Sequence, residues 1–308
     1  MTRVALTALC ICGLIALTGC GERKEKLSPG AAQTLRVALA PLNAGQAAVF
    51  AAEAGGQFRA AGLTVQLSVS ADAAAAIRKV RLGQADLAVG TEPDLLEARG
   101  RGSRVLSVAT LVQSPLTSLV APRLSVGTVI GFATKPIGTQ GVDYQRAFAE
   151  TIFPRRAHVV DLGANLMPSL ASRKVAAVIA PVGGLPLPPG ASYLPVDRLH
   201  VPTFSEYVLV ANADALGRDG DPIRSFVGAL ARGTRNLGAA RQGAIAPLLK
   251  TPEATNIRKL MLPPAGKPYG WHDAEKWRRF AAWMRMHRLP QTGAAGAFTN
   301  TLLPGQGF

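Results

Sequence analysis

The residues able to do covalent or metal chemistry in this 308-residue chain are few, and their spacing excludes most of it. All three cysteines, Cys10, Cys12 and Cys20, lie in the first twenty residues, so the body has no thiol for a nucleophile, a zinc ligand or a disulfide. His158, His200, His272 and His287 are scattered without ligand spacing, and neither Gly-x-Ser-x-Gly nor His-Glu-x-x-His occurs. The expectation is a protein that is not an enzyme and uses no metal or cofactor. Trp271, Trp277 and Trp283 suggest an aromatic cluster. However, Trp277, Phe280 and Met284 follow helical spacing, which favours packing of a terminal helix over a binding stack.

The cysteine with a chemistry of its own is Cys20. Arg3 opens the chain, an apolar run follows over residues 4–17, and Leu17-Thr18-Gly19 leads into Cys20. A positive start, an apolar core and small residues before a cut mark a secretory signal peptide. The run falls short of the ~20 apolar residues a spanning helix needs. Its ending resembles the bacterial lipobox, in which the cysteine thiol takes a diacylglyceryl group and becomes the mature N-terminus. The alternative is an uncleaved anchor with an incidental cysteine. The expected organisation is therefore a signal peptide over 1–19, a lipid on Cys20, and a charged tether over 20–33 broken by Pro29-Gly30. The protein would lie outside the cytoplasmic membrane. The 289 residues beyond a cut at Cys20, without disulfides, suffice for one large domain or two lobes resting on an apolar core. The formal net charge is +15, from scattered residues, 25 Arg and 9 Lys, without a nucleic-acid motif. It reads as compositional bias with some attraction to anionic lipid heads, and no nucleic-acid partner is expected.

These residues must be positioned by alternating elements. Strands are expected at 35–39, 63–69, 86–90, 104–111, 126–132, 158–162, 175–180 and 207–210. Helices are expected at 44–58, 72–82, 92–99, 141–152, 166–172, 222–237, 239–249, 253–260 and 273–286. Strands alternating with helices argue for βαβ units and a largely parallel sheet. Residues 181–190 are too rich in proline and glycine for either element.

Four stretches then carry a resemblance: Asp86-Leu87-Ala88-Val89 with Glu92-Pro93-Asp94-Leu95-Leu96; Gln113-Ser114-Pro115-Leu116-Thr117-Ser118-Leu119; Val201-Pro202-Thr203-Phe204-Ser205-Glu206-Tyr207; and Gly270-Trp271-His272-Asp273 with Ala297-Phe298-Thr299-Asn300. In this order they resemble the thiamine-pyrimidine-precursor branch of ABC-transporter substrate-binding proteins, whose wider group includes sulfonate, taurine and nitrate binders. The resemblance runs from Leu35 to Pro304. It implies an α/β, two-lobe periplasmic-binding-protein type II fold with the ligand cleft between lobes. Lobe 1 would comprise 34–118 and 208–308, and lobe 2 would comprise 119–207. It also implies a monomer delivering a small molecule to an ABC permease with a separate ATPase.

The resemblance also assigns residues. Glu206 matches a family glutamate that would accept hydrogen bonds from ring-amino donors; as a purely structural residue it would be a hinge glutamate paired with an arginine. Asn43 matches an asparagine of the first strand-to-helix loop, and is equally suited to capping a turn. Glu92 follows a strand end and could face the cleft or simply complement a helix dipole. Thr91 stands where the family carries an aromatic, and Thr139 lies in an altered glycine-rich loop, Thr134-Lys135-Pro136-Ile137-Gly138-Thr139. Leu39-Ala40-Pro41 replaces an acidic-aromatic pair, and Pro181-Val182-Gly183-Gly184 replaces an aromatic-Asn pair. Several stacking platforms are thus absent, each worth ~0.5–1.5 kcal/mol. The reading is a solute-binding lipoprotein for a thiamine pyrimidine precursor or similar heterocycle. The alternatives are a sulfonate-, taurine- or nitrate-type binder, or a ligand-poor surface lipoprotein with a sensing or interaction role. Synthases of this fold carry a cysteine-rich motif, which the body lacks.

Overall fold

A computed structural model describes residues 32–154, 157–218, 220–241 and 244–305. Ala32–Phe308 forms one compact unit with its own buried cores. The expected signal peptide, Cys20 and most of the expected tether lie outside the described residues.

The strands are β1 (Gln33–Leu39), β2 (Leu63–Val69), β3 (Leu87–Gly90), β4 (Val105–Val112), β5 (Thr117–Pro122), β6 (Pro136–Thr139), β7 (His158–Asp161), β8 (Ala177–Pro181), β9 (Ala191–Pro195) and β10 (Tyr207–Asn212). The helices are α1 (Ala47–Ala54), α2 (Gln57–Ala60), α3 (Ala73–Arg81), α4 (Glu92–Gly100), α5 (Asp143–Ile152), α6 (Leu166–Ala171), α7 (Ala213–Arg218), α8 (Asp221–Thr234), α9 (Pro252–Leu260) and α10 (Ala274–Met286). Two five-stranded sheets result, ordered β2-β1-β3-β10-β4 and β7-β6-β8-β5-β9. They form two lobes in a type II periplasmic-binding-protein fold. Each sheet is mixed where a largely parallel one was expected. In the first, β10 runs antiparallel to β3 and β4; in the second, β5 runs antiparallel to β8 and β9. Both are crossover strands, entering their sheet from the other lobe and so against its direction.

Local sequence explains the ends of these elements. The Asp72 side chain accepts from Ala75 N–H at 2.5 Å to start α3, and Gly83 takes φ +70 beyond its end. Asp273 accepts from the Glu275 and Lys276 N–H groups and starts α10. That helix buries Trp277, Phe280, Trp283 and Met284, as its spacing requires. It packs across to the second lobe. Phe148 on α5 stacks with Phe204 at 5.5 Å, and Phe204 meets Phe280 at 4.7 Å. Trp283 Nε1 donates to Thr151 Oγ1 at 3.2 Å. The terminal tryptophans are therefore packing. Trp271 stands apart, with the Lys267 ammonium 4.4 Å above its ring.

Two expected elements are replaced. Residues 126–132 form a largely exposed 3-10 helix, not a strand, because Ser125 N–H donates to Thr128 Oγ1 and Gly127 and Gly131 present no side chain, leaving only Val129 and Phe132 half-buried against the core. Residues 239–249 break into 3-10 turns at Leu237–Arg241 and Leu248–Lys250, with Gly238 and Pro247 interrupting the helix. Among the described residues no helix is long and apolar enough to cross a membrane.

Candidate functional site

The carboxyl ends of the parallel strands bring the two sheets together. The loop after β1 carries Asn43, whose Oδ1 accepts from Gly45 N–H at 2.9 Å and caps the turn into α1. Its Nδ2 donates to the Val182 carbonyl, beyond β8, at 2.9 Å, and Ala44 N–H donates to the Gly183 carbonyl at 2.9 Å. Asn43 thus caps locally and also clips one lobe to the other. Gly183 takes φ +89, and a Cβ there would stand 3.3 Å from Asn43 Oδ1 and 2.3 Å from Ile257 Cδ1.

A second bridge forms where β3 meets α4. The Thr91 hydroxyl donates to Asp94 Oδ2 at 2.5 Å and accepts from Asp94 N–H at 3.2 Å. Tyr144, in the first turn of α5, donates to the same Asp94 oxygen at 3.2 Å. Burial pushes the Asp94 carboxyl up to about 6, against the hydrogen bonds from Thr91 and Tyr144. The Tyr144 hydroxyl is held well above its ordinary range by burial and by the Asp94 and Glu206 charges.

Glu206 lies just before β10, on the returning crossover. Its Oε2 accepts from the N–H groups of Leu116 and Thr117 at 2.8 and 2.9 Å, and its Oε1 accepts from Thr117 Oγ1 at 2.9 Å. One carboxylate therefore ties the outgoing crossover to the returning one, through backbone donors and a hydroxyl instead of an arginine. A carboxylate has about four acceptor positions, so about one remains on Oε1. Burial pushes Glu206 up to about 7, opposed by the Thr117 and Leu116 donors and reinforced by Asp94. Burial, reinforced by the Glu206 and Asp94 charges, also raises Tyr207, whose ring covers Gly45 closely enough that a Cβ there would come within 2.9 Å. Thr91, Asp94, Tyr144, Glu206 and Tyr207 thus form one electrostatically linked group. No salt bridge joins Asp94 or Glu206 to a cation among the described residues.

Glu92 and Thr139 make no hydrogen bond to this group among the described residues. Glu92 Oε2 accepts from Ser205 N–H at 2.7 Å, while its buried Oε1 has no hydrogen-bond partner. Burial pushes it up to about 7, against the Lys276 charge and the bonds from Ser205. The Lys276 ammonium donates to the Gln113 carbonyl at 2.7 Å. Glu92 therefore braces the crossovers. Thr139 closes β6 and accepts from Gly141 N–H at 3.4 Å within its own turn. Asp94 and Tyr144 had no assigned role in the sequence. Thr91-x-x-Asp94 reads as a helix cap, and only the tertiary contact shows that Asp94 also serves α5.

A Ser-His-Asn relay occurs elsewhere. Ser107 Oγ lies 2.6 Å from His272 Nε2, and His272 Nδ1 lies 2.8 Å from Asn300 Oδ1. The Asn300 acceptor assigns the proton to Nδ1 and leaves Nε2 to accept from Ser107. Ser107 and His272 are both 0% exposed, with Phe298 stacked on the imidazole at 5.1 Å. The relay is a brace holding the C-terminal tail to β4, with no room for a substrate.

The model of the family described as NMT1/THI5 like matches residues 43–242. The chain is 25% identical over 283 residues to the formylaminopyrimidine-binding protein of Halalkalibacterium halodurans, covering 80% of this chain and 82% of that protein. It is 25% identical over 189 residues to a putative thiamine biosynthesis protein of Haemophilus influenzae, covering 57% and 60%. Among solved structures, the ligand-binding component of an ABC-type import system from Staphylococcus aureus superposes with a TM-score of 0.68 at 13% identity, over 88% of this chain and 97% of that one. The alkanesulfonate-binding protein of Xanthomonas axonopodis pv. citri superposes with a TM-score of 0.65 at 16% identity, over 87% and 98%. The structural likenesses establish the fold alone.

Proposed function

Because the chain belongs to the NMT1/THI5-like family of solute-binding proteins, we propose that it binds a thiamine pyrimidine precursor or a similar amino-bearing heterocycle between its lobes. It would deliver this ligand to an ABC permease with a separate ATPase. The observation that carries this reading is the buried pair of carboxylates, Asp94 and Glu206, with two phenols and, among the described residues, no bonded cation. Such a group accepts N–H donors and repels anions. A sulfonate about 4 Å from one ionised carboxylate would meet roughly 4 kcal/mol of repulsion at an effective dielectric near 20. The formylaminopyrimidine-binding relative fits the same chemistry. Lobes 34–118 with 208–308 and 119–207 would rock about the crossovers, and ligand contacts on both would favour the closed form. Glu206, Asp94, Thr91 and Tyr144 would touch the ligand or hold the groups that do. Asn43 would secure closure, while Glu92 and Thr139 would support the surrounding loops. The chain would act as a monomer outside the cytoplasmic membrane, tethered through Cys20.

A thermal-shift panel tests this reading. A formylaminopyrimidine should raise the melting temperature, whereas alkanesulfonate, taurine and nitrate should not. A shift with an anion alone would transfer the assignment to the sulfonate-type alternative. The bonds Asn43–Val182 and Ala44–Gly183, with Pro181-Val182-Gly183-Gly184 in place of aromatics, favour a second reading as a ligand-poor surface lipoprotein with a sensing role. No shift with any compound would support it.

The interlobe bonds yield a further expectation. Asn43→Ala and Tyr144→Phe should each weaken ligand binding about threefold to tenfold, the worth of one hydrogen bond favouring the closed form. Small-angle scattering should show a larger open population in each. Unchanged affinity and dimensions would remove these residues from closure.

A further inference from the structure

The far end of the second sheet, opposite the ligand site, carries an apolar pair ringed by cations. The 3-10 helix Val126–Phe132 turns Val129 and Phe132 toward the core and leaves Val126 70% and Ile130 71% exposed. Arg123 precedes this helix, and Lys135 follows it with its ammonium 5.4 Å above the Phe132 ring. Ala176 N–H donates to the Pro136 carbonyl at 2.9 Å, so the exposed Arg173 and Lys174, just before β8, reach the same end. No acid occurs between Pro122 and Val142 or between Leu162 and Val196. Asp143 and Asp161 lie at the opposite end of the sheet, where β6 and β7 finish, and Glu150 in the last turn of α5 is the nearest acid along that helix.

We infer that this end is a docking surface for an anionic lipid bilayer. Val126 and Ile130 enter the headgroup boundary while Arg123, Lys135, Arg173 and Lys174 meet the lipid phosphates. An exposed apolar pair with cations of one sign around it matches an interfacial membrane contact. Two apolar side chains are too small a patch for a stable protein interface, which buries about 800 Å² on each partner. The contact is independent of Cys20 and would hold one lobe to the bilayer while the other moves.

Co-sedimentation with vesicles tests it, using the compact unit from Ala32 so that neither the apolar N-terminal run nor a lipid contributes. The unit should bind vesicles of equal parts phosphatidylglycerol and phosphatidylcholine, release in high salt, and ignore pure phosphatidylcholine. The doubles V126S/I130S and R123S/K135S should each weaken binding about tenfold or more, with melting unchanged because these side chains are exposed. Absence of binding to the anionic vesicles would overturn the inference. So would full binding by V126S/I130S, which would reduce the patch to cation adsorption.

Discussion

Glu206→Ala should lower folding stability by about 2–4 kcal/mol and weaken ligand binding, whereas Glu206→Gln should preserve the fold and weaken only ligand binding. Alanine leaves the N–H groups of Leu116 and Thr117 and the Thr117 hydroxyl without their acceptor at the crossover. Each unmade buried bond costs about 1–3 kcal/mol, part of which water entry recovers. A glutamine carbonyl can accept from both N–H groups, while its amide donates to Thr117 Oγ1. What glutamine cannot offer is the remaining acceptor position for a ligand amino group. Affinity should therefore fall about tenfold to a hundredfold in Glu206→Gln, or about 1.4–2.8 kcal/mol. Urea unfolding and calorimetry on both variants separate the two roles. Equal stability of wild type and Glu206→Ala would remove the crossover brace.

The second large effect is at His272. His272→Ala should cost about 3 kcal/mol, since it opens a cavity and strands Ser107 and Asn300. Burial pushes this imidazole down to about 3. The folded state therefore holds it neutral while the unfolded state takes a proton below its ordinary pKa of 6.5. Its contribution is present above that value and is lost as pH falls toward 3, by about 1.4 kcal/mol per pH unit. Glu92 and Glu206 act in the opposite direction. Raised from 4.5 to about 7, they favour folding below 4.5, and that stability is lost as pH rises through 7. Asp94, raised from 3.8 to about 6, acts with them, and together these groups put the stability maximum at about pH 4. Melting temperature against pH should show both limbs in the wild type, and His272→Ala should have a shallower acid limb, keeping the part due to Asp86, whose burial is outweighed by the bonds from Arg36 that hold it below its ordinary range. An unchanged acid limb would contradict the neutral, buried imidazole.

Much of the fold was legible because its signals are local. The period-two run at 63–69, the Asp72 and Asp273 caps, and the spacing of Trp277, Phe280 and Met284 each dictate an element from its own residues. What escaped depends on neighbours. β6 carries Pro136 and Gly138 and becomes a strand only between β7 and β8, and β9 is a half-buried edge. The apolar composition of 126–132 suggests a buried strand, yet its glycines and the Ser125–Thr128 turn coil it at the surface. The site divides in the same way. Asn43, Thr91 and Glu206 stood out as polar residues beside strand ends. Val182 lies 139 positions from Asn43 and Thr117 lies 89 from Glu206, while Thr91 meets Asp94 only 3 positions on and Asp94 in turn meets Tyr144 50 positions further; the distant partners are set by tertiary contact alone.

The most direct test of the ligand assignment is a calorimetric titration of the unit from Ala32 with a formylaminopyrimidine, repeated with an alkanesulfonate of similar size. The carboxylate pair predicts saturable heat with the aminopyrimidine, weakened about tenfold or more in Glu206→Gln, and none with the sulfonate. Saturable binding of the sulfonate, undiminished in Glu206→Gln, would contradict it.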